Sequence, residues 1–304
     1  MGSQKKGLII GIIGMVITIA VLSVMVFIVI SLNIADKNEV KITANYDFIS
    51  DMIIDQISQG NTAKDGEDLE YTGEPGKFAP STHEERVNWI NGTYAVLTIV
   101  NGRDVTLFGG EEYSRFDERE YKKFIYDWWG INDRKGYDET ISQLTTGLHN
   151  PLFLEFIAES GFLEMSRADF HNLLNDLEDA DAATYLKTAY DAYEKFGRSA
   201  IMGWDLSRAT YLCSMGYLAG IYTYDEAIDK AFEIGEIIQH TFTSWEDFWE
   251  SYMSGYLFWG SDIHQYEYRY RIVRRLLDNE ISPVKLKWYM CLGCCEGEIR
   301  GKAI

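Results

Sequence analysis

Between Gly7 and Ala35 the chain carries no charged residue, and GLIIGIIGMVITIAVLSVMVFIVISLN fills positions 7–33. A helix crosses the hydrocarbon core with about 20 apolar residues at about 1.5 Å each, so this run can span with some tilt. A cleaved signal peptide is the alternative, because Lys5 and Lys6 resemble its basic leader. The apolar stretch exceeds a usual signal core, however, and no small-x-small cleavage site follows it. The sequence therefore predicts a single-pass membrane anchor: residues 1–35 form a cytoplasmic tail and transmembrane helix, inserted through residues 7–33. Lys5, Lys6 and the terminal amine precede the span, and Lys37 and Lys41 follow it. That slight bias favours a cytoplasmic N-terminus with residues 36–304 outside the cytoplasm. A cytoplasmic domain is the alternative placement.

Residues 36–81 read as a juxtamembrane segment. Ile42, Tyr46, Ile49, Ile53 and Ile57 recur at spacings of three and four, an amphipathic helix. The Gly-, Pro- and acid-rich stretch 58–81 has no period and reads as an exposed loop. From Thr82 to residue 304 the signals are helical. Thr82 with Glu85, Ser166 with Asp169, Thr223 with Glu226 and Ser244 with Asp247 fit or nearly fit capping boxes. Ser282-Pro283 offers another helix start. Segment 91–102 mixes β-branched residues with the helical spacing of Val87, Ile90, Tyr94 and Leu97, and is assigned to helix. Further helices are predicted over 118–129, 136–148, 151–159, 167–178, 182–196, 199–215, 224–240, 245–259 and 263–278. The fold class is all-α: one N-terminal transmembrane helix and a globular multi-helix domain. Aromatic residues make up 14% of the chain, enough to build a large core.

Lys and Arg number 28 against 47 Asp and Glu, a formal charge of −19 with no basic stripe. Such a surface repels phosphate backbones, which argues against a nucleic-acid partner. No Walker loop, GxGxxG, GxSxG elbow or EF-hand spacing is present, and no cofactor is predicted. Cys291, Cys294 and Cys295 in CLGCC supply at most half a zinc site; no second Cys-x-x-Cys or His-x-His accompanies them. His240 and His264 could complete it only through tertiary proximity. Reduced thiols or tail packing is the simpler expectation for these cysteines, and a small core residue for Cys213.

Asp205 and Arg208 stand three apart in an apolar, aromatic helical pattern, which places them on one face. They could form a desolvated pair awaiting a polar ligand. They could instead brace the helix against a neighbouring loop or helix end, the commoner use of such pairs. Glu226, or Asp262 with His264 two residues on, could add acid–base groups, although a helix-start Asp beside a surface histidine is the simpler reading. Trp245, Phe248, Trp249, Tyr252, Tyr256 and Trp259 form an aromatic stripe on one helix face, and Gly255 within it permits close approach by a neighbour. Together with Trp204 and Tyr211, Trp245, Trp249, Tyr252 and Trp259 are the candidate ligand- or partner-binding residues.

Several of these segments carry a family resemblance. YAVLTIVNG with FGG (94–110), WWGINDR (128–134), WDLSRA (204–209), GYLAGIYTYDEA (216–227) and FTSWEDFWESYMSGYLFW (242–259) occur in order. Across about residues 90–260 the chain resembles the bacterial domain-of-unknown-function family 1266. The resemblance implies a helical bacterial domain and brings no established catalytic residue. The expected function is a membrane-anchored interaction module for an unknown protein or small molecule, able to form homo-oligomers. A hydrolase-like enzyme centred on Asp205 and Arg208 is one alternative, and an immunity or envelope-stress accessory protein is another.

Overall fold

A computed structural model describes residues 78–79, 81–278 and 283–293, all within the unit that begins at Phe78. The expected anchor, the amphipathic helix at 42–57 and most of the acidic loop lie outside the described residues. No helix among the described residues is long and apolar enough to cross a membrane. The described chain is helical: α1 (His83–Thr93), α2 (Ala95–Val100), α3 (Glu118–Trp129), α4 (Arg134–Thr146), α5 (Asn150–Glu159), α6 (Arg167–Asn175), α7 (Ala180–Phe196), α8 (Met202–Leu218), α9 (Tyr224–Thr241), α10 (Trp245–Gly260) and α11 (Ile263–Asp278). An isolated parallel bridge joins Ala79 to Met290, and no strand is present among the described residues.

Local chemistry explains the helix starts. Thr82 with Glu85 and Thr223 with Glu226 form complete capping boxes, whereas Ser166 and Ser244 cap through their hydroxyls alone. Each contact satisfies a backbone amide that has no partner inside its own helix. The helical segment around residues 91–102 is split at Tyr94, whose backbone leaves helical geometry. The Tyr94 hydroxyl accepts from the Gly109 amide and donates to Asn91 Oδ1, so the break is held by the loop that follows.

Helix α8 is the centre of the domain. All its residues are buried except Met202, Arg208 and Tyr217, the pattern of a helix apolar all round. Helices α4, α9 and α10 pack around it. Two of its buried hydroxyls are held in hydrogen bonds, Thr210 meeting Thr93 at 2.7 Å and Ser214 donating to Tyr211 O at 2.8 Å, whereas the buried Ser207 Oγ has no partner. At one end of the core Trp89, Trp245 and Trp288 pack ring against ring, with centroids 4.9 to 5.5 Å apart.

The crossing of α8 and α10 needs two glycines. A Cβ on Gly203 would lie 2.6 Å from Phe248 O and 2.7 Å from Tyr252 N, both backbone atoms. One on Gly255 would lie 2.3 Å from Trp204 Cβ. The backbones touch so closely that Ser251 Oγ accepts from Gly203 N at 2.9 Å and donates to Ala200 O at 2.9 Å. Alanine is the better helix former by about 1 kcal/mol. Gly203→Ala is nonetheless expected to destabilise the domain by about 1–3 kcal/mol, because the helices must separate. Urea denaturation checks this, and an unchanged or raised midpoint would refute it.

Candidate functional site

Asp205, in the first turn of α8, is fully buried. Its Oδ2 accepts from the His149 amide at 2.9 Å and the Asn150 amide at 3.1 Å. Its Oδ1 accepts a short hydrogen bond from His149 Nδ1. A carboxylate can only accept, so the ring nitrogen facing it carries the proton. Helix α5 begins at Asn150 with proline in its first turn and has no side-chain cap of its own from His149. Asp205 supplies that cap from another helix, satisfying two orphan amides at the positive end of the α5 dipole. Asn150 completes the staple: its Oδ1 accepts from Ile201 N at 3.0 Å and its Nδ2 donates to Arg198 O at 2.6 Å.

The pairing of Asp205 with Arg208 expected from their spacing does not form. Arg208 makes no ion pair or hydrogen bond among the described residues, because both Asp205 oxygens are committed to the α5 end. Instead the guanidinium carbon sits 4.0 Å from the Trp129 ring centroid and 4.9 Å from that of Trp204. Burial lowers the Arg208 pKa to about 10, with the field of Asp205 opposing the shift. The group is therefore still a cation at neutral pH, and its buried Nη1 has no acceptor.

Trp204 Nε1 nearby is likewise buried and unpartnered, and the Tyr252 hydroxyl is buried beside the Arg269 side chain. The Trp204 ring lies 5.3 Å from Tyr252 and 5.8 Å from Tyr256. Arg269 stacks over Tyr256 at 4.4 Å and donates through Nη1 to Gln265 Oε1 at 3.2 Å. Burial raises the Tyr252 pKa, while Arg269 and Arg208 both pull it down, so the two cations face this hydroxyl. The result is a donor-rich cluster among aromatic rings, built from α8, α10, α11 and the end of α3. At its edge the His149 ring meets Trp259 edge-on at 4.6 Å, and Trp259 is 40% exposed.

The other candidate residues are placed elsewhere or are structural. Glu226 caps α9 and pairs with Arg134 at 2.8 Å, and that contact draws its pKa down to about 2. Asp262 accepts from the Gln265 amide at 3.0 Å at the start of α11, and His264 is exposed in the same turn. Trp245, Trp249, Tyr211 and Tyr252 are buried. The aromatic face of α10, which supplies most of the candidate ligand- or partner-binding residues, is therefore mostly core, because Gly203 and Gly255 let α8 lie directly on it. Trp245 Nε1 donates to Leu286 O at 2.9 Å, and Asn101 Nδ2 donates to Tyr211 Oη at 3.4 Å. Cys291 is disulfide-bonded, not reduced as expected. An oxidised sulfur offers no thiolate to zinc, and Cys294 and Cys295 lie outside the described residues. No cluster of three metal-ligating side chains occurs among the described residues. Cys213 is a free, buried core thiol whose pKa burial pushes up to about 12.

Residues 125–288 match the family described as Protein of unknown function (DUF1266). A helical domain with this core belongs to a class defined by sequence and not yet by activity; the chain is a member of that family. The matched segment begins after the first motif of the resemblance and extends past its end, taking in Trp129, His149, Arg208 and Arg269. No curated protein and no solved structure matches the chain.

Proposed function

We propose that the chain is a membrane-anchored helical module that binds a carboxylate-bearing ligand at Arg208. The observation that carries this reading is the Arg208 guanidinium: half-buried between two indole rings, charged at neutral pH and with its buried Nη1 lacking an acceptor. An unpaired buried charge costs several kcal/mol, and a carboxylate that reaches it offers paired, charge-assisted hydrogen bonds. Tyr252 and Trp204 add neutral donors, and the surrounding rings suit an apolar or aromatic ligand body. Catalysis is the weaker alternative. A general base needs a free lone pair beside the substrate, and the Asp205 oxygens already accept from three donors. In this reading the apolar run 7–33 holds the module at the cell membrane with the domain outside, and no cofactor is required.

The test is the melting temperature of the full chain titrated with benzoate. Ligand at a hundredfold excess over its Kd stabilises by about 2.7 kcal/mol, so the wild-type midpoint is expected to climb with benzoate. In Arg208→Gln it should stay flat. Equal shifts in both proteins, or none in the wild type, would sink the reading.

A further inference from the structure

A cavity of about 340 Å³ lies between α3, the turn into α4 and Ile221 beyond the end of α8. Its lining is unusual for this chain. Arg119, Lys122 and Lys123 contribute three cations, and no carboxylate is among the lining residues, although acids far outnumber bases overall. Arg119 makes no ion pair among the described residues. Lys122 reaches Glu118 at 3.4 Å and Lys123 reaches Asp127 at 2.5 Å along the same helix. Exposed pairs of that kind are worth at most about 1 kcal/mol, so an incoming anion can displace them.

Tyr137 also lines the cavity; it is only 2% exposed, and its buried hydroxyl has no hydrogen-bond partner. Burial raises its pKa, so at neutral pH the phenol keeps its proton and remains a donor. Asn132 adds an amide, while Tyr126, Ile131 and Ile221 give the cavity an apolar side.

The geometry points to this cavity as a binding site for a phosphate monoester carrying an apolar or aromatic group. A carboxylate needs one cation; a phosphate dianion, with three acceptor oxygens, matches several cations and a phenol donor. The apolar wall takes the organic part. The site is separate from the Arg208 cluster, shares no residue with it and does not depend on the function proposed there.

The test is calorimetric titration of the detergent-solubilised full chain with phenyl phosphate. Wild type is expected to bind, and the double variant Arg119→Gln/Lys122→Gln to bind at least about tenfold more weakly. Both side chains are exposed, so the variant should keep the wild-type melting temperature. Tyr137→Phe is expected to lose about fivefold in affinity with no loss of stability, since it removes a hydroxyl that bonds to nothing in the protein. The ligand's source is read by repeating the titration in phosphatidylcholine vesicles with and without phosphatidic acid. Weakening only with phosphatidic acid assigns the site to a lipid headgroup, and no change assigns it to a soluble phosphate ester. Absence of wild-type binding, equal binding by the double variant, or loss in Arg208→Gln instead would overturn the assignment.

Discussion

Asp205→Ala is expected to lower the unfolding free energy by about 3–5 kcal/mol, the cost of stranding a buried, hydrogen-bonded charge network. The carboxylate accepts two amides and one imidazole proton at 0% exposure, so its removal leaves three donors without their acceptors. In a domain of this size each kcal/mol is about 2–4 °C in melting temperature, so a fall of about 10 °C should appear in a thermal scan. Asp205→Asn is expected to fall less. One amide oxygen can still accept from the α5 backbone, and His149 can change tautomer to accept from the new NH2. His149→Ala combined with Asp205→Ala should cost less than the sum of the two, because they share one interaction. A melting temperature within 2 °C of wild type (about 1 kcal/mol) for Asp205→Ala would mean that the α5 start is held by something else.

How far the sequence discloses this arrangement depends on the range of each interaction. Helix starts such as Thr82 with Glu85 and Thr223 with Glu226 are legible because the cap and its amide lie within one turn. That Asp205 would hold a helix end was an open alternative in its pattern. Its partner was not legible, because His149 is 56 residues away. The local sequence suggests a different cap, since Asn150 before Pro151 reads as a helix start, yet the cap position is His149 and the Asn150 side chain bonds Ile201 N and Arg198 O instead. Arg208 shows the same limit. Spacing placed it on a face with Asp205, but distant Trp129 and Arg269 decide its surroundings. The aromatic stripe of α10 was read with the right period and the wrong exposure. Periodicity says which residues share a face, and only the glycines at 203 and 255 tell that another helix lies on it.

Arg208→Met is expected to stabilise the ligand-free domain. Burial lowers the guanidinium pKa to about 10 from an ordinary 12.5, and a base whose folded pKa is depressed binds protons more tightly when unfolded. The penalty is therefore fully present at every pH below 10 and shrinks as pH rises toward the unfolded value, where stability increases with pH. At about 1.4 kcal/mol per pKa unit it is about 3 kcal/mol at neutral pH. Methionine keeps an apolar stem between Trp129 and Trp204 but forfeits the attraction of the cation for the two rings, about 1–2 kcal/mol. The net gain should be about 1–2 kcal/mol, or a few degrees in melting temperature. The advantage of the variant should narrow above pH 10, measured by urea denaturation at stepped pH. A variant that is more stable yet blind to benzoate would identify Arg208 as a cation kept for a ligand at the expense of the fold. A variant less stable than wild type would make the arginine a brace after all, and the cluster would lose its reason to bind a carboxylate.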